Sequence, residues 1–411
     1  MKTPIVPFAL ITSLFFMWGL ANNMTDTLLA AFKKIMSMTD FQTSWIQIAF
    51  YGSYFCLALP AAILTKKFSY KFGVMVGLGL FIAGSLLFYP ASLTKQYSHF
   101  LIALFILAGG LSILETASNP FIIAMGPPQT GTRRLNLAQS FNPIGSITGI
   151  LLSKLFILSR LHQATEAERA SMSAEKLAAI QAEELAAVMT PYVGVAFFLL
   201  FLWIAIGITP MPAASDGGNR LDLAGAFSRL IKRPRYVGGV IAQFFYVGAQ
   251  IGVWSFTIRY VMKELQVSED EAATYYLYSL IAFMGGRFVC TGLMRFIEPI
   301  RLLIYMALIA IALTAGVVFL NGLVAVWMLV FISACMSLMF PTIYGVALEN
   351  LGEDTKIGGS GLIMAILGGA VLTALQGWVS DQLNSIHLAY LVPMGCFVVV
   401  ALYGVMNLRR T

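Results

Sequence analysis

The sequence predicts an all-α membrane protein with twelve transmembrane helices in two six-helix bundles. Three observations lead there. The chain of 411 residues is 59% hydrophobic and only 11% charged, whereas soluble domains carry roughly 25% charged residues. Apolar windows of about 20 residues, the length that crosses a bilayer as a helix, recur from end to end. One polar, basic stretch, 211–235, divides those windows into two equal sets.

The first window, 8–32, follows Lys2, an arrangement that imitates a secretory signal. Its helical pattern continues through the polar cluster Trp18–Asp26 without a small-x-small cleavage site, so it is expected to persist as the first span. Further windows lie near 42–65, 72–92, 98–124, 136–158, 190–210, 236–262, 270–293, 300–320, 324–347, 357–378 and 386–407. An even number of spans places both termini on one side. Lys2, Lys66, Lys67, Lys71, Arg133, Arg134, Arg220, Arg229, Lys232, Arg233, Arg235, Arg287, Arg295, Arg301, Lys356, Arg409 and Arg410 fall in the loops or at the helix ends of that side, and such a bias marks it as cytoplasmic.

Residues 211–235 contain Pro212 and Gly217-Gly218 and are expected to link an N-terminal bundle, 1–210, to a C-terminal bundle, 236–411. The connection Ser159–Thr190 lies on the opposite side, and its Glu/Ala-rich part, Thr165–Ala187, has the composition of a surface helix. Internal symmetry is suggested by two echoes: Asn119-Pro120-Phe121 against Phe340-Pro341-Thr342, and the basic turn Lys66–Lys71 against Arg295–Arg301. The chain closes on Leu408-Arg409-Arg410-Thr411, with no lipidation or retention signal expected there.

The chemistry concentrates inside the spans. In the first, an i, i+4 spacing stacks Trp18, Asn22 and Asp26 on one helical face, with Asn23 beside them. A charge at mid-bilayer costs at least ~2.5–3.5 kcal/mol, so such a face turns inward and lines a pathway. The fourth span has the second intramembrane acid, Glu115, sharing a face with Ser112 and Asn119. An acid of this kind holds its proton when enclosed in a low dielectric and loses it when water enters, which is the behaviour a proton-coupled carrier requires. A purely structural hydrogen bond to a neighbouring helix is the competing reading for each acid.

The fifth span supplies Asn136, Gln139 and Asn142, amides that both donate and accept and therefore suit the hydroxyls of a neutral sugar. Gly145-x-x-x-Gly149 reads as a close helix contact. In the seventh span Gln243, Tyr246, Gln250 and Trp254 form one stripe, where a ring can lie on a sugar's C–H face; packing alone is the alternative. Gly358-Gly359-Ser360-Gly361 and Gly368-Gly369 make the eleventh span a candidate for close packing or bending.

Other function classes find little support. The net charge of +7 is dispersed between apolar runs, which argues against nucleic acid. His99, His162 and His387 sit near loops, and Cys56, Cys290, Cys335 and Cys396 lie far apart, so neither a metal site nor a disulfide framework is expected. No phosphate-binding GxxxxGK[ST] loop and no catalytic set occur, so the chain reads as a non-enzyme without cofactors.

Trp18–Asp26, Glu115–Phe121, Leu135–Asn142, Ala242–Gln250 and Asn350–Lys356 together resemble the fucose/galactose/glucose proton symporter family of the major facilitator superfamily. The resemblance runs nearly end to end. It implies that Asp26 and Glu115 are the protonatable pair, that Asn23, Gln139 and Asn142 contact sugar, and that Trp18 and Asn119 lie nearby. Phe340 stands where the fucose carriers lead one to expect a tyrosine, which leaves the sugar open. Implied partners are a neutral sugar, protons and membrane lipid, with a monomer in a bacterial inner membrane. Sodium coupling, export, and a membrane sugar sensor are the alternatives; the sensor is disfavoured by the shortness of the cytoplasmic stretches.

Overall fold

The structure, a computed structural model, describes residues 3–35, 40–94, 96–157, 160–162, 168–169, 171–212 and 222–408, and for residues 22, 25–34, 40–45, 47, 48 and 188 the backbone alone. Among the described residues no strand occurs. That follows from the solvent: hydrocarbon offers backbone amides no partner, and a helix satisfies them within one segment.

In chain order the helices are α1 (Ile5–Ile35), α2 (Asp40–Lys67), α3 (Tyr70–Thr94), α4 (Tyr97–Ala124), α5 (Gly131–Gln139), α6 (Phe141–Phe156) and α7 (Ala174–Ile208). There follow α8 (Leu223–Ile231), α9 (Pro234–Leu265), α10 (Glu269–Leu293), α11 (Pro299–Phe319), α12 (Gly322–Met336), α13 (Met339–Leu348), α14 (Thr355–Met364), α15 (Gly368–Gln382), α16 (Ile386–Ala389) and α17 (Leu391–Leu408). Nine helical stretches among the described residues are long and apolar enough to cross a membrane. With α1, α2 and the α5–α6 pair, the total is 9 + 3 = 12, the number of spans the sequence predicts.

Two departures from the expected elements have local causes. The Glu/Ala-rich segment does not form a separate surface helix: from Ala174 it runs unbroken into the sixth span as α7, started by Ser173, whose hydroxyl accepts from the Lys176 N–H at 3.4 Å. Nothing between Ala187 and Pro191 interrupts it, while Ser159 and residues 165–167 lie outside the described residues. The stretch 211–235 contains a helix of its own, α8, with Asp222 accepting from the Gly225 N–H at 2.9 Å. Its Arg229 forks onto Asp354, with Nε and NH2 each at 2.8 Å. Gly217-Gly218 lie outside the described residues.

Contacts divide the chain into two compact units, one of Met1–Thr3, Asn119–Ser140 and Ala214–Thr411, the other of Pro4–Ser118 and Phe141–Ala213. In the second unit α1 packs along α6, and α3 along α7. The α1–α6 seam is close because of glycine: a Cβ on Gly145 would stand 1.9 Å from the Phe16 carbonyl oxygen, and one on Gly149 2.6 Å from that of Leu20. In the first unit α9 is the hub, touching α13, α15 and α17, and α13 also packs on α5.

Among the described residues the eleventh span tightens to a 3-10 turn at Ala365–Leu367, the twelfth breaks at Tyr390 ahead of Pro393, and two more break three or four residues before a proline. The fifth breaks at Ser140 ahead of Pro143, and the tenth at Ser337-Leu338 ahead of Pro341. Proline has no N–H, so the carbonyls four residues earlier, those of Gln139 and Ser337, have no intrahelical donor.

Candidate functional site

Within the second unit, α4 presents Ser112 and Glu115 on the face the sequence assigns. Ser112 is fully buried and donates its hydroxyl to the Tyr54 carbonyl on α2 at 3.0 Å. Glu115 is 1% exposed in the middle of α4. Tyr54 is itself 3% exposed on α2, and Trp18 is half-buried on α1.

Also on α1, Asn23 donates its Nδ2 to the Gly19 carbonyl one turn back at 3.1 Å. Asn22 and Asp26 occupy the expected positions on α1, and their side chains lie outside the described residues. Asn142 is half-buried at the start of α6, its carbonyl oxygen against Gly19, where a Cβ would stand 2.0 Å away.

Within the first unit, Gln139 closes α5 and donates its Nε2 to Asn119 Oδ1 at 2.8 Å, both side chains being buried. One turn earlier, Asn136 donates to the Thr342 hydroxyl of α13 at 3.2 Å. Tyr246 is fully buried on α9 and gives its hydroxyl to the Met336 carbonyl at 3.0 Å. Its ring meets Phe340 edge-on at 6.4 Å, and Phe340 stacks on Tyr344 at 6.2 Å. Gln250 is half-buried farther along α9, and neither it nor Tyr246 is hydrogen-bonded to the amides of α4 and α5. Gln243 is fully buried; Trp254 gives its indole N–H to the Ser333 hydroxyl at 3.2 Å.

Two residues that sequence reasoning passed over belong to these clusters. Tyr54 looks like any aromatic residue in an apolar helix, and nothing local marks it. Arg287 was detectable as a lone cation in the apolar run of the eighth span, but reads from the sequence as a basic residue near a helix end. Instead it is 3% exposed, donates from NH1 to the Gln139 carbonyl at 2.9 Å and from Nε to the Ser337 carbonyl at 2.5 Å, and covers the Phe283 ring at 4.6 Å.

Among the described residues no group of three or more His, Cys, Asp or Glu side chains could hold a metal ion. His387 is engaged elsewhere, its Nε2 lying 2.7 Å from a Glu264 oxygen. The four cysteines are free thiols, three of them buried. The two clusters bring together a buried acid on α4 and the hydrogen-bonding amides of α4 and α5, side chains that can hold a proton and bind hydroxyls.

Residues 10–371 match the sequence model of the Major Facilitator Superfamily. The chain belongs to that superfamily. Among relatives within this major facilitator group, the L-fucose-proton symporter of Haemophilus influenzae is 40% identical over 98% of this chain and 96% of its own. The glucose/galactose transporter of Brucella abortus is 36% identical over 97% of this chain and 93% of its own. A crystal structure of the major facilitator transporter FucP in the outward conformation covers 99% of both chains with a TM-score of 0.93 and 39% identity.

Proposed function

We propose that this major facilitator transporter is a symporter that imports L-fucose or a related neutral hexose together with protons across a bacterial inner membrane. The observation that bears most weight is Glu115, an acid 1% exposed inside α4 and one turn from Ser112, whose hydroxyl donates to the Tyr54 carbonyl. A buried amide would serve a structural role without the risk of ionisation, so a carboxyl retained there is explained by a need to gain and lose a proton. The 40% identity with an L-fucose-proton symporter over nearly the whole chain supports the same reading.

In this mechanism Asp26 and Glu115 take up protons while open to the outside and release them inside, Glu115 responding to sugar and Asp26 tying proton loss to the conformational change. Asn23, Gln139 and Asn142 bind sugar hydroxyls, with Trp18, Asn22, Asn119, Tyr246 and Gln250 completing the lining. The bundles 1–210 and 236–411, joined through 211–235, rock in alternating access. Both termini are cytoplasmic, and the carrier works as a monomer in lipid. For a neutral sugar each proton brings in one charge, so the membrane potential adds ~2.3 kcal/mol per 100 mV.

Sealed vesicles without an energy source test this directly. Sugar added outside should alkalinise the medium, a protonophore should abolish accumulation, and replacing sodium should change nothing. Asp26→Asn and Glu115→Gln should each end accumulation against a gradient; if both variants still concentrate sugar, the acids have been misassigned. Counterflow with L-fucose, D-arabinose, L-galactose, D-glucose and D-galactose identifies the sugar. A glucose or galactose preference is the second reading, favoured by Phe340, which offers no hydroxyl toward the site, and by the 36% identity to a glucose/galactose transporter.

A further inference from the structure

Arg287 is a costly residue to bury inside a span. It is 3% exposed, and the hydrogen bonds of its guanidinium go to main-chain carbonyls, those of Gln139 and Ser337. Those two carbonyls have something in common that the sequence alone explains. Each is the fourth residue before a proline, Pro143 in one case and Pro341 in the other, and so each lacks the N–H that would otherwise close its helical turn. Each also stands at the carboxyl end of a helix, α5 and α12, where the aligned peptide dipoles leave partial negative charge. One cation answers both breaks. Only a guanidinium suits the task, because its donors are spread over a rigid planar fork, while a lysine ammonium is a single point. The Phe283 ring, one turn earlier on α10 and 4.6 Å away, holds the plane of the fork.

The residue whose carbonyl is held is Gln139, and the amide of that side chain donates to Asn119 at 2.8 Å. We propose that Arg287 is a positioning residue of the sugar site, fastening the proline-broken ends of the fifth and tenth spans so that Gln139 presents its amide in one direction. The inference rests on the reading of Gln139 as a sugar contact. Arg287 itself touches no sugar; it acts through the backbone of the residue that does.

The test compares purified carrier in proteoliposomes as Q139A, R287K, R287M, Q139A/R287M, P143A and R287M/P143A, measuring sugar KM, kcat for counterflow and thermal stability in detergent. Q139A and R287M should each raise KM about tenfold, the effect of a displaced binding group, and in combination should raise it little further. R287K, which keeps the charge but reaches one carbonyl, should fall between R287M and the parent and covers the case in which R287M does not fold. P143A returns an N–H to residue 143 and so satisfies the Gln139 carbonyl without the arginine. In R287M/P143A thermal stability should therefore recover while KM stays high. If KM also returns to the parent value, Arg287 only caps an orphan carbonyl and the proposal is overturned. If Q139A raises KM but R287M and R287K do not, the proposal fails and the sugar reading of Gln139 stands; if Q139A leaves KM unchanged, both fall.

Discussion

Arg169, ahead of α7, and Glu184, within it, form an ion pair, each about 1% exposed. NH1 donates to Oε2 at 2.9 Å, and the same carboxylate accepts the His162 N–H at 2.7 Å. The Glu184 hydrogen bond raises the guanidinium pKa above the ordinary arginine range. The sign follows: the arginine's share of the stability is complete below that range and is lost only at pH beyond it, so uptake assays at neutral pH should not disturb it. Arg169→Met should lower stability by about 3–5 kcal/mol, because Glu184 is left charged and unpaired, and Arg169→Met/Glu184→Leu should recover most of that in a thermal melt. This pair was not legible in the sequence, where its members stand 15 residues apart in a stretch that reads as a solvated connector. The burial of Glu115 was legible, since a carboxyl in an apolar run of bilayer length must turn away from lipid.

Helices α1 and α6 show how two elements are fitted by the absence of a side chain. The Gly145-x-x-x-Gly149 spacing announces close approach, and the Phe16 and Leu20 carbonyls supply what approaches. Gly145→Ala should lower thermal stability by about 1–3 kcal/mol, as overpacking does, and reduce folded yield. Gly52→Ala on α2 is the contrasting case: among the described residues nothing lies within 4 Å of its Cβ position, and the change should be neutral or stabilise by up to ~1 kcal/mol through lost chain entropy. Both melts can be read on detergent-purified protein. The seam was visible in the sequence because glycine spacing is a local pattern. The continuity of α7 was not, since a Glu/Ala-rich segment is equally at home on a surface helix and on the polar extension of a span.

Across the molecule, the proposed topology places Thr411 in the cytoplasm. A green fluorescent protein fused after Thr411 should therefore fluoresce, and alkaline phosphatase fused there should be inactive; the reverse pattern would overturn the orientation argued from the Lys/Arg distribution. Apolar runs of bilayer length fix the class and the number of spans, because a chain in hydrocarbon must satisfy its own backbone and a helix does so locally. Two of those helices come apart ahead of Pro143 and Pro341, whereas Pro60, Pro90, Pro120 and Pro191 sit inside helices that run on, so a proline marks a place where a break can fall and packing decides whether it does. Which group repairs the breaks is another matter. Arg287 reaches carbonyls 148 and 50 residues away in the chain, and Gln139 meets Asn119 across 20. Separations of that kind are set by how helices pack, and no repeat of two, three or four residues encodes them.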